Sequence, residues 1–210
     1  MLGVVLAATV AAGVPFTLAD HRIFVRAYDQ LKRFHVLFDV DRRRLTFSSA
    51  PIATPPNATS TPVSIDGGLP FVAAAVDGVR GTFLVDTGDR SQLTLFRPFA
   101  TANHFFHLAT VRNALTGLGV GGPIYADLLR TTLQAFGTSS PGVATRLPLA
   151  TAGAFASDRD AGSIGFGYLE RFDFVFDYPN RRIVAWPAKS VPSDTSLFHV
   201  PSIPPALKKP

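Results

Sequence analysis

The chain is 210 residues long and 47% apolar, enough to bury one core of ordinary size. Its formal charge of +5 is modest, and the clusters Arg42-Arg43-Arg44 and Arg181-Arg182 follow alternating apolar runs, as solvated strand ends do. No recognition module accompanies them, which excludes nucleic acid as a partner. The lack of cysteine excludes disulfides and thiolate metal sites, while eighteen phenylalanines beside seventeen prolines and seventeen glycines point to a β-rich chain.

Residues 2–16, from Leu2 to Phe16, are apolar and small. They read in one of two ways. The first is a signal peptide with a poor cleavage site at Thr17-Leu18-Ala19 and no Lys or Arg ahead of the apolar run. The run is too short for a comfortable membrane span. The second reading rests on an internal repeat. Arg33-Phe34-His35-Val36-Leu37-Phe38-Asp39 through Leu45 aligns without a gap on Arg171-Phe172-Asp173-Phe174-Val175-Phe176-Asp177 through Ile183. The Arg-Phe pair, Phe38 with Phe176, Asp39 with Asp177 and the Arg-Arg-aliphatic ending all match. A shorter echo joins Ala12-Gly13-Val14-Pro15-Phe16 to Ala152-Gly153-Ala154-Phe155. On this reading residues 1–50 are a partial, degenerate copy of a later unit, with Val25-Arg26-Ala27-Tyr28 standing where Ser163-Ile164-Gly165-Phe166 stands. Residues 51–62, rich in Pro, Ser and Thr, are expected to be an extended, exposed linker.

The main unit is placed at residues 63–188. Asp77-Gly78 between apolar runs predicts a tight hairpin, so the strands on either side should pair and deliver Asp86. Phe83-Leu84-Val85 reads as a strand buried on both faces, and Ser91 to Phe96 as a half-buried one. Arg97 to Phe106 can start a helix with Pro98 in its first turn. His104 and His107 have the spacing of one helix face, but no third ligand accompanies them, so a surface helix and no metal are expected. Leu115 to Ala126 places Gly117, Gly119, Gly121 and Gly122 among apolar residues, which makes a poor, mobile strand. No Gly-Lys-Ser/Thr follows it, so it is not a phosphate loop. Leu128 to Phe136 and Thr145 to Leu149 read as strands, and the Pro-rich residues 189–210 as an extended arm.

The centre of the unit is Val79-Arg80-Gly81-Thr82-Phe83-Leu84-Val85-Asp86-Thr87-Gly88. A carboxylate at the end of a buried strand is costly unless it is paired or hydrogen-bonded, and such groups are candidates for function. A hydrophobic strand closing in Asp86-Thr87-Gly88 resembles the active-site loop of aspartic proteases, particularly bacterial ones of the single-lobed retropepsin type. The segment from Ala161 through Ser163-Ile164-Gly165-Phe166 to Tyr178 resembles the apolar-Gly pair, short helix and final strand that close such a lobe.

The resemblance implies a mostly β, barrel-like retropepsin lobe with one or two short helices, acting as an aspartic-type endopeptidase without cofactor or metal. Asp86 would be one of two carboxylates that share a proton and hold a water between them. Thr87 would hydrogen-bond across the pair, Gly88 would allow the turn beside the water, and Ile164-Gly165 would pack beneath the loop. Gly117, Gly119, Gly121 and Gly122 would belong to a flap over a peptide or protein substrate, though a surface turn fits the composition too. The second aspartate would come from a second copy of the chain across a two-fold axis or from the missing front of a first lobe. A catalytically inactive binding or dimerisation module of the same fold is the alternative, and a third reading makes the triplet a coincidence on an exposed loop. Where the family carries Ala or Ser after the glycine, this chain has Asp89. It either raises the apparent pKa of the pair or turns outward to Arg90, and the outward pairing is the expectation. Asp39 and Asp177 are expected to serve turns or nearby arginines, and Asp158 and Asp160 to lie in a solvated loop. The apolar start and the resemblance favour export to the periplasm or cell envelope over the cytoplasm.

Overall fold

A computed structural model describes residues 31–119 and 122–189. The apolar start, the shorter echo of the repeat, Gly121 and the tail from residue 190 lie outside the described residues.

In chain order, β1 (His35–Asp39) and β2 (Arg44–Ser48) form a hairpin, followed by β3 (Thr59–Pro62) and β4 (Ser64–Asp66). Next come β5 (Leu69–Val76), β6 (Val79–Asp86) and β7 (Leu93–Leu95), then helix α1 (Arg97–Ala102) and a 3-10 turn (Phe105–Leu108). Two long strands, β8 (Val111–Gly119) and β9 (Gly122–Ala135), precede β10 (Thr138–Pro148). The described chain ends with β11 (Gly162–Gly165), the single-turn helix α2 (Phe166–Leu169), β12 (Phe172–Asp177) and β13 (Arg182–Pro187). The mostly β expectation holds.

One sheet runs β4-β5-β6-β11-β7-β10-β9-β8, and β5 also pairs with β9. That extra pairing closes the strands from β5 to β9 into a barrel. Its interior is filled by Phe83, Leu93, Leu129, Leu133, Leu147 and Ile164, each nearly inaccessible to solvent. Tyr168 is buried with them, and its hydroxyl is satisfied by Ser140 Oγ at 3.0 Å. Asp77 and Gly78 take the left-handed conformation, φ 47° and 85°, that a two-residue hairpin demands. The Asp77 side chain also accepts the Thr132 N–H at 2.7 Å, tying this turn to β9. β6 lies between β5 and β11, yet its burial alternates. Phe83 and Val85 are buried and Leu84 is half-buried, so the expectation of two buried faces is corrected.

The second sheet runs β2-β1-β12-β13-β3. β3 falls inside the stretch read as linker; its Thr59 to Pro62 pair with β13, so only residues 51–58 carry no strand. The two repeat copies, β1–β2 and β12–β13, lie side by side. β1 pairs antiparallel with β12 about Leu37↔Val175, and the registers within the two hairpins are the same, His35↔Ser48 answering Asp173↔Trp186. Their turns match too. Arg43 and Arg181 have φ 51° and 50°, with N–H bonds to the carbonyls of Val40 and Tyr178.

The aspartates at these equivalent strand ends hold their turns, as expected from the sequence. Asp39 accepts the Arg42 N–H at 2.9 Å, and Asp177 accepts the Asn180 side-chain amide at 2.9 Å. Burial pushes the Asp177 carboxyl up, but bonds from Asn180 and Arg182 and the neighbouring His35, 3.0 Å away, outweigh it and leave the pKa below the ordinary value. A folded-state pKa below the unfolded one gives stability that is present above about pH 4 and lost as pH falls through the folded value. Asp177→Asn is therefore expected to lower the unfolding temperature at pH 7 and to converge on the wild type in strong acid, as measured by thermal melts across pH.

Candidate functional site

Asp86 is the last residue of β6, half-buried, and its neighbour across the sheet is Gly165, the last residue of β11. The two strands run parallel with Ile164↔Val85 and Gly165↔Asp86 in register, so the sequence-predicted Ile164-Gly165 pair lies directly beside the strand end that carries the carboxylate. Asp86 therefore stands at the end of a central strand and not on the exposed loop that the third reading requires.

The loop curls back on its own aspartate. Gly88 N–H donates to Asp86 Oδ1 at 2.9 Å, and Asp89 N–H donates to the Asp86 carbonyl at 3.2 Å. Burial raises the Asp86 carboxyl above its ordinary pKa; the Gly88 bond opposes that rise, and the charge of Asp89 adds to it. Thr87 and Gly88 are half-buried at the turn.

Asp89 does not turn outward to Arg90. It points inward, where Arg146 Nη2 of β10 donates to its Oδ2 at 2.6 Å with only 12% and 15% of the two side chains exposed. Ser91 adds its N–H and its hydroxyl, at 2.9 and 2.8 Å, and Arg146 Nε donates to Thr94 Oγ1 at 2.6 Å. The guanidinium also stands over an aromatic ring, with Arg146 Cζ 5.8 Å from the Phe155 centroid. A buried partner explains the inward turn, because an arginine that β10 aims at Thr94 of β7 has to find a carboxylate. The sequence reading missed Arg146, Thr94 and Ser91. A lone charged residue inside the otherwise uncharged stretch Val143 to Leu149 was the available signal.

Gly165 leaves no room for a side chain. A Cβ there would overlap the Ser91 carbonyl and stand 2.8 Å from the Asp89 carbonyl. The close approach is used: Gly165 N–H donates to the Gln92 carbonyl at 3.0 Å and Phe166 N–H to the Asp89 carbonyl at 2.6 Å. Gly165→Ala must push the 89–91 backbone off β11, at a cost of about 1–3 kcal/mol. The expected result is a lower unfolding temperature, read by calorimetry.

The remaining predicted positions lie elsewhere. Gly117 and Gly119 are in β8 and Gly122 opens β9, with Gly119 paired to Gly122 at the tip of the hairpin. Two register shifts interrupt β8, and at the first of them Asn113 N–H and Arg112 bind Asp127 at 2.8 and 2.7 Å. Up to its Gly119–Gly122 pair the hairpin is a paired arm with a pinned base. His104 and His107 do not share a helix: His104, at φ 62°, separates α1 from the 3-10 turn, and the two rings are 6.0 Å apart.

The described chain is thus a mostly β barrel lobe with a hydrogen-bonded carboxylate at the end of a central strand. No protein-family model and no curated protein matches it. Among solved structures it is similar to a retropepsin-like aspartic protease from Rickettsia conorii, at 22% identity over 61% of this chain and 91% of that one, with a TM-score of 0.44. It is also similar to the retroviral protease-like domain of Ddi1 from Leishmania major, at 18% identity over 58% and 96% of the two chains, TM-score 0.38. EIAV protease in complex with the inhibitor HBY-793 matches at 14% identity over 57% and 92%, TM-score 0.36.

Proposed function

We propose that the chain is the lobe of an aspartic-type endopeptidase and that Asp86 is one of its two catalytic carboxylates. The observation that carries the reading is the carboxylate itself: half-buried at the end of a central barrel strand, held by the Gly88 N–H and flanked by a glycine that admits the loop. In the reaction, an ionised carboxylate takes a proton from water as the oxygen attacks the scissile carbonyl carbon. The protonated partner donates to the carbonyl oxygen, and the tetrahedral adduct collapses as the amine leaves with a proton. Two carboxylates a hydrogen bond apart cannot both ionise, so the pair titrates as a unit. Thr87 and Gly88 would shape the loop around the water, Ile164 and Gly165 support it from β11, and the β8–β9 arm is the candidate flap over a peptide. The test is cleavage of an unstructured protein and its block by a statine-type inhibitor. Absence of cleavage across pH 3–8, with the inhibitor failing to bind, would reject the reading; that window spans the ordinary carboxylate range and beyond.

A second reading has its own observation. The sequence holds one Asp-Thr-Gly, and among the described residues the carboxylate that acts on Asp86 is Asp89, which Arg146 already holds. On that reading the lobe is a non-catalytic binding or dimerisation module, and it predicts a folded chain inert to the inhibitor.

A further inference from the structure

We infer, resting on the proposed reaction in which the β8–β9 arm is the candidate flap, that Asp127 is the arm's positioning residue. Its carboxylate clamps a two-residue bulge at the root of the arm and sets the angle at which the arm leaves the barrel.

Register places that root. β10 pairs with β9 from Thr138↔Ala135 to Pro148↔Ala126, and Leu149 N–H adds a last bond to the Tyr125 carbonyl at 3.0 Å. Beyond Tyr125, residues 122–124 pair with β8 alone. A two-stranded ribbon is only marginally stable by itself, so its direction is fixed by what holds its base. On the barrel side of this point the two strands are bolted together. Thr110 N–H donates to the Leu128 carbonyl at 2.8 Å, and Val111 pairs with Leu128.

The next pair outward is Ala114↔Ala126, so Arg112 and Asn113 of β8 together stand opposite the single residue Asp127 of β9. That is a β-bulge, which bends its strand and re-aims whatever lies beyond it. Asn113 takes the left-handed conformation, φ 52°, which few residue types other than glycine tolerate. Asp127 binds both bulged residues. Its Oδ1 accepts the Asn113 N–H at 2.8 Å, and its Oδ2 accepts Arg112 Nη1 at 2.7 Å. The carboxylate is 8% exposed and the Arg112 side chain 57%. A buried carboxylate without its donors is costly, so the bulge is held in one shape by the residue it faces. Leu147, opposite Asp127 on β10, is fully buried, which fixes the clamp to the rigid part of the fold. A second bulge lies farther out, at Thr116, and is held by the Thr116 hydroxyl donating to the Ile124 carbonyl at 3.1 Å. The charged clamp is therefore at the pivot, and a swing of the arm turns about residues 111–114 and 126–127.

Amide hydrogen exchange on the full chain tests this without using catalysis. Arg112→Met removes the exposed half of the clamp and should quicken exchange several-fold at residues 114–119 and 122–125, while β5, β6 and β11 keep their wild-type protection. Arg112→Lys keeps a cation and should restore most of the protection. Asp127→Asn should quicken the same residues further, because an amide oxygen serves only one of the two donors. The cysteine-free sequence also allows spin labels on Ala73→Cys and Pro123→Cys, both exposed positions, and their distance distribution should broaden when Arg112→Met is added. Unchanged exchange on the arm, protection lost equally across the barrel, no rescue by Arg112→Lys, or an unbroadened distance would each overturn the inference. Arg112→Met alters an exposed side chain, so its results stand even if Asp127→Asn misfolds. Asp86→Asn should match the wild type in all of these measurements. A chain that never cleaves peptide would therefore sink the proposed reaction and leave the exchange and distance data to decide what aims the arm.

Discussion

Asp86→Asn is expected to abolish peptide cleavage while leaving the fold intact and, at neutral pH, more stable than the wild type. Loss of a general acid–base group alone removes about 10²- to 10⁴-fold in rate. The substitution keeps the Oδ1 acceptor that Gly88 N–H uses, so the loop retains its internal bond. Stability follows from the sign of the shift. Burial raises the Asp86 pKa, so the ionised form is disfavoured in the folded chain. The wild type loses stability as pH rises from the ordinary carboxylate range, about pH 4, through the folded value. The asparagine variant escapes that loss, so its advantage is present at pH 7 and disappears in acid. Paired thermal melts at pH 7 and pH 3 check the stability half, and a peptide assay checks the rate half. Cleavage at the wild-type rate would remove Asp86 from the chemistry whatever the melts show.

The parts of this molecule that local rules govern were legible in the sequence. Asp77-Gly78 announced its turn because few residue pairs tolerate two left-handed conformations, and Pro98 marked the first turn of α1 because its missing N–H has no partner there anyway. The repeat named Asp39 and Asp177 as turn aspartates before any contact was known. Where the reading failed, the cause was tertiary. The β9–β10 turn is built from Phe136 and Gly137 at φ 50° and 73°, and a phenylalanine in that conformation carries no turn signal, so β10 was read to begin at Thr145 rather than at Thr138. Thr59 to Pro62 looked like linker because an edge strand needs only backbone from its neighbour, and β13 supplied it. The direction of Asp89 could not be read from its neighbour Arg90, since its true partner is 57 residues away on a strand brought alongside by the barrel.

Arg146→Met should be the most destabilising single change in the loop's support. The guanidinium and the Asp89 carboxylate are both largely shielded from water, and removing one partner strands the other. Breaking such a buried pair costs about 3 kcal/mol, roughly 6–12 °C in unfolding temperature for a chain of this size. Ser91 still donates twice to Asp89, which moderates the loss, but Thr94 Oγ1 also gives up its Arg146 bond. The double variant Asp89→Asn/Arg146→Met removes both charges and should recover much of the stability, because no bare carboxylate remains. The two changes also separate electrostatics from packing at Asp86. Asp89 adds to the rise of the Asp86 pKa, and the Arg146 guanidinium sits against that same Asp89 carboxylate as an opposite charge. Arg146→Met should therefore move the Asp86 titration further up, and Asp89→Asn should move it down, both read by carboxyl carbon NMR. A purely structural role for the pair would lower stability in both variants while leaving the Asp86 titration where it was. Opposite displacements would instead mean that the residue after the Asp-Thr-Gly triplet sets the charge state of the carboxylate three positions before it, and that Arg146 limits how far.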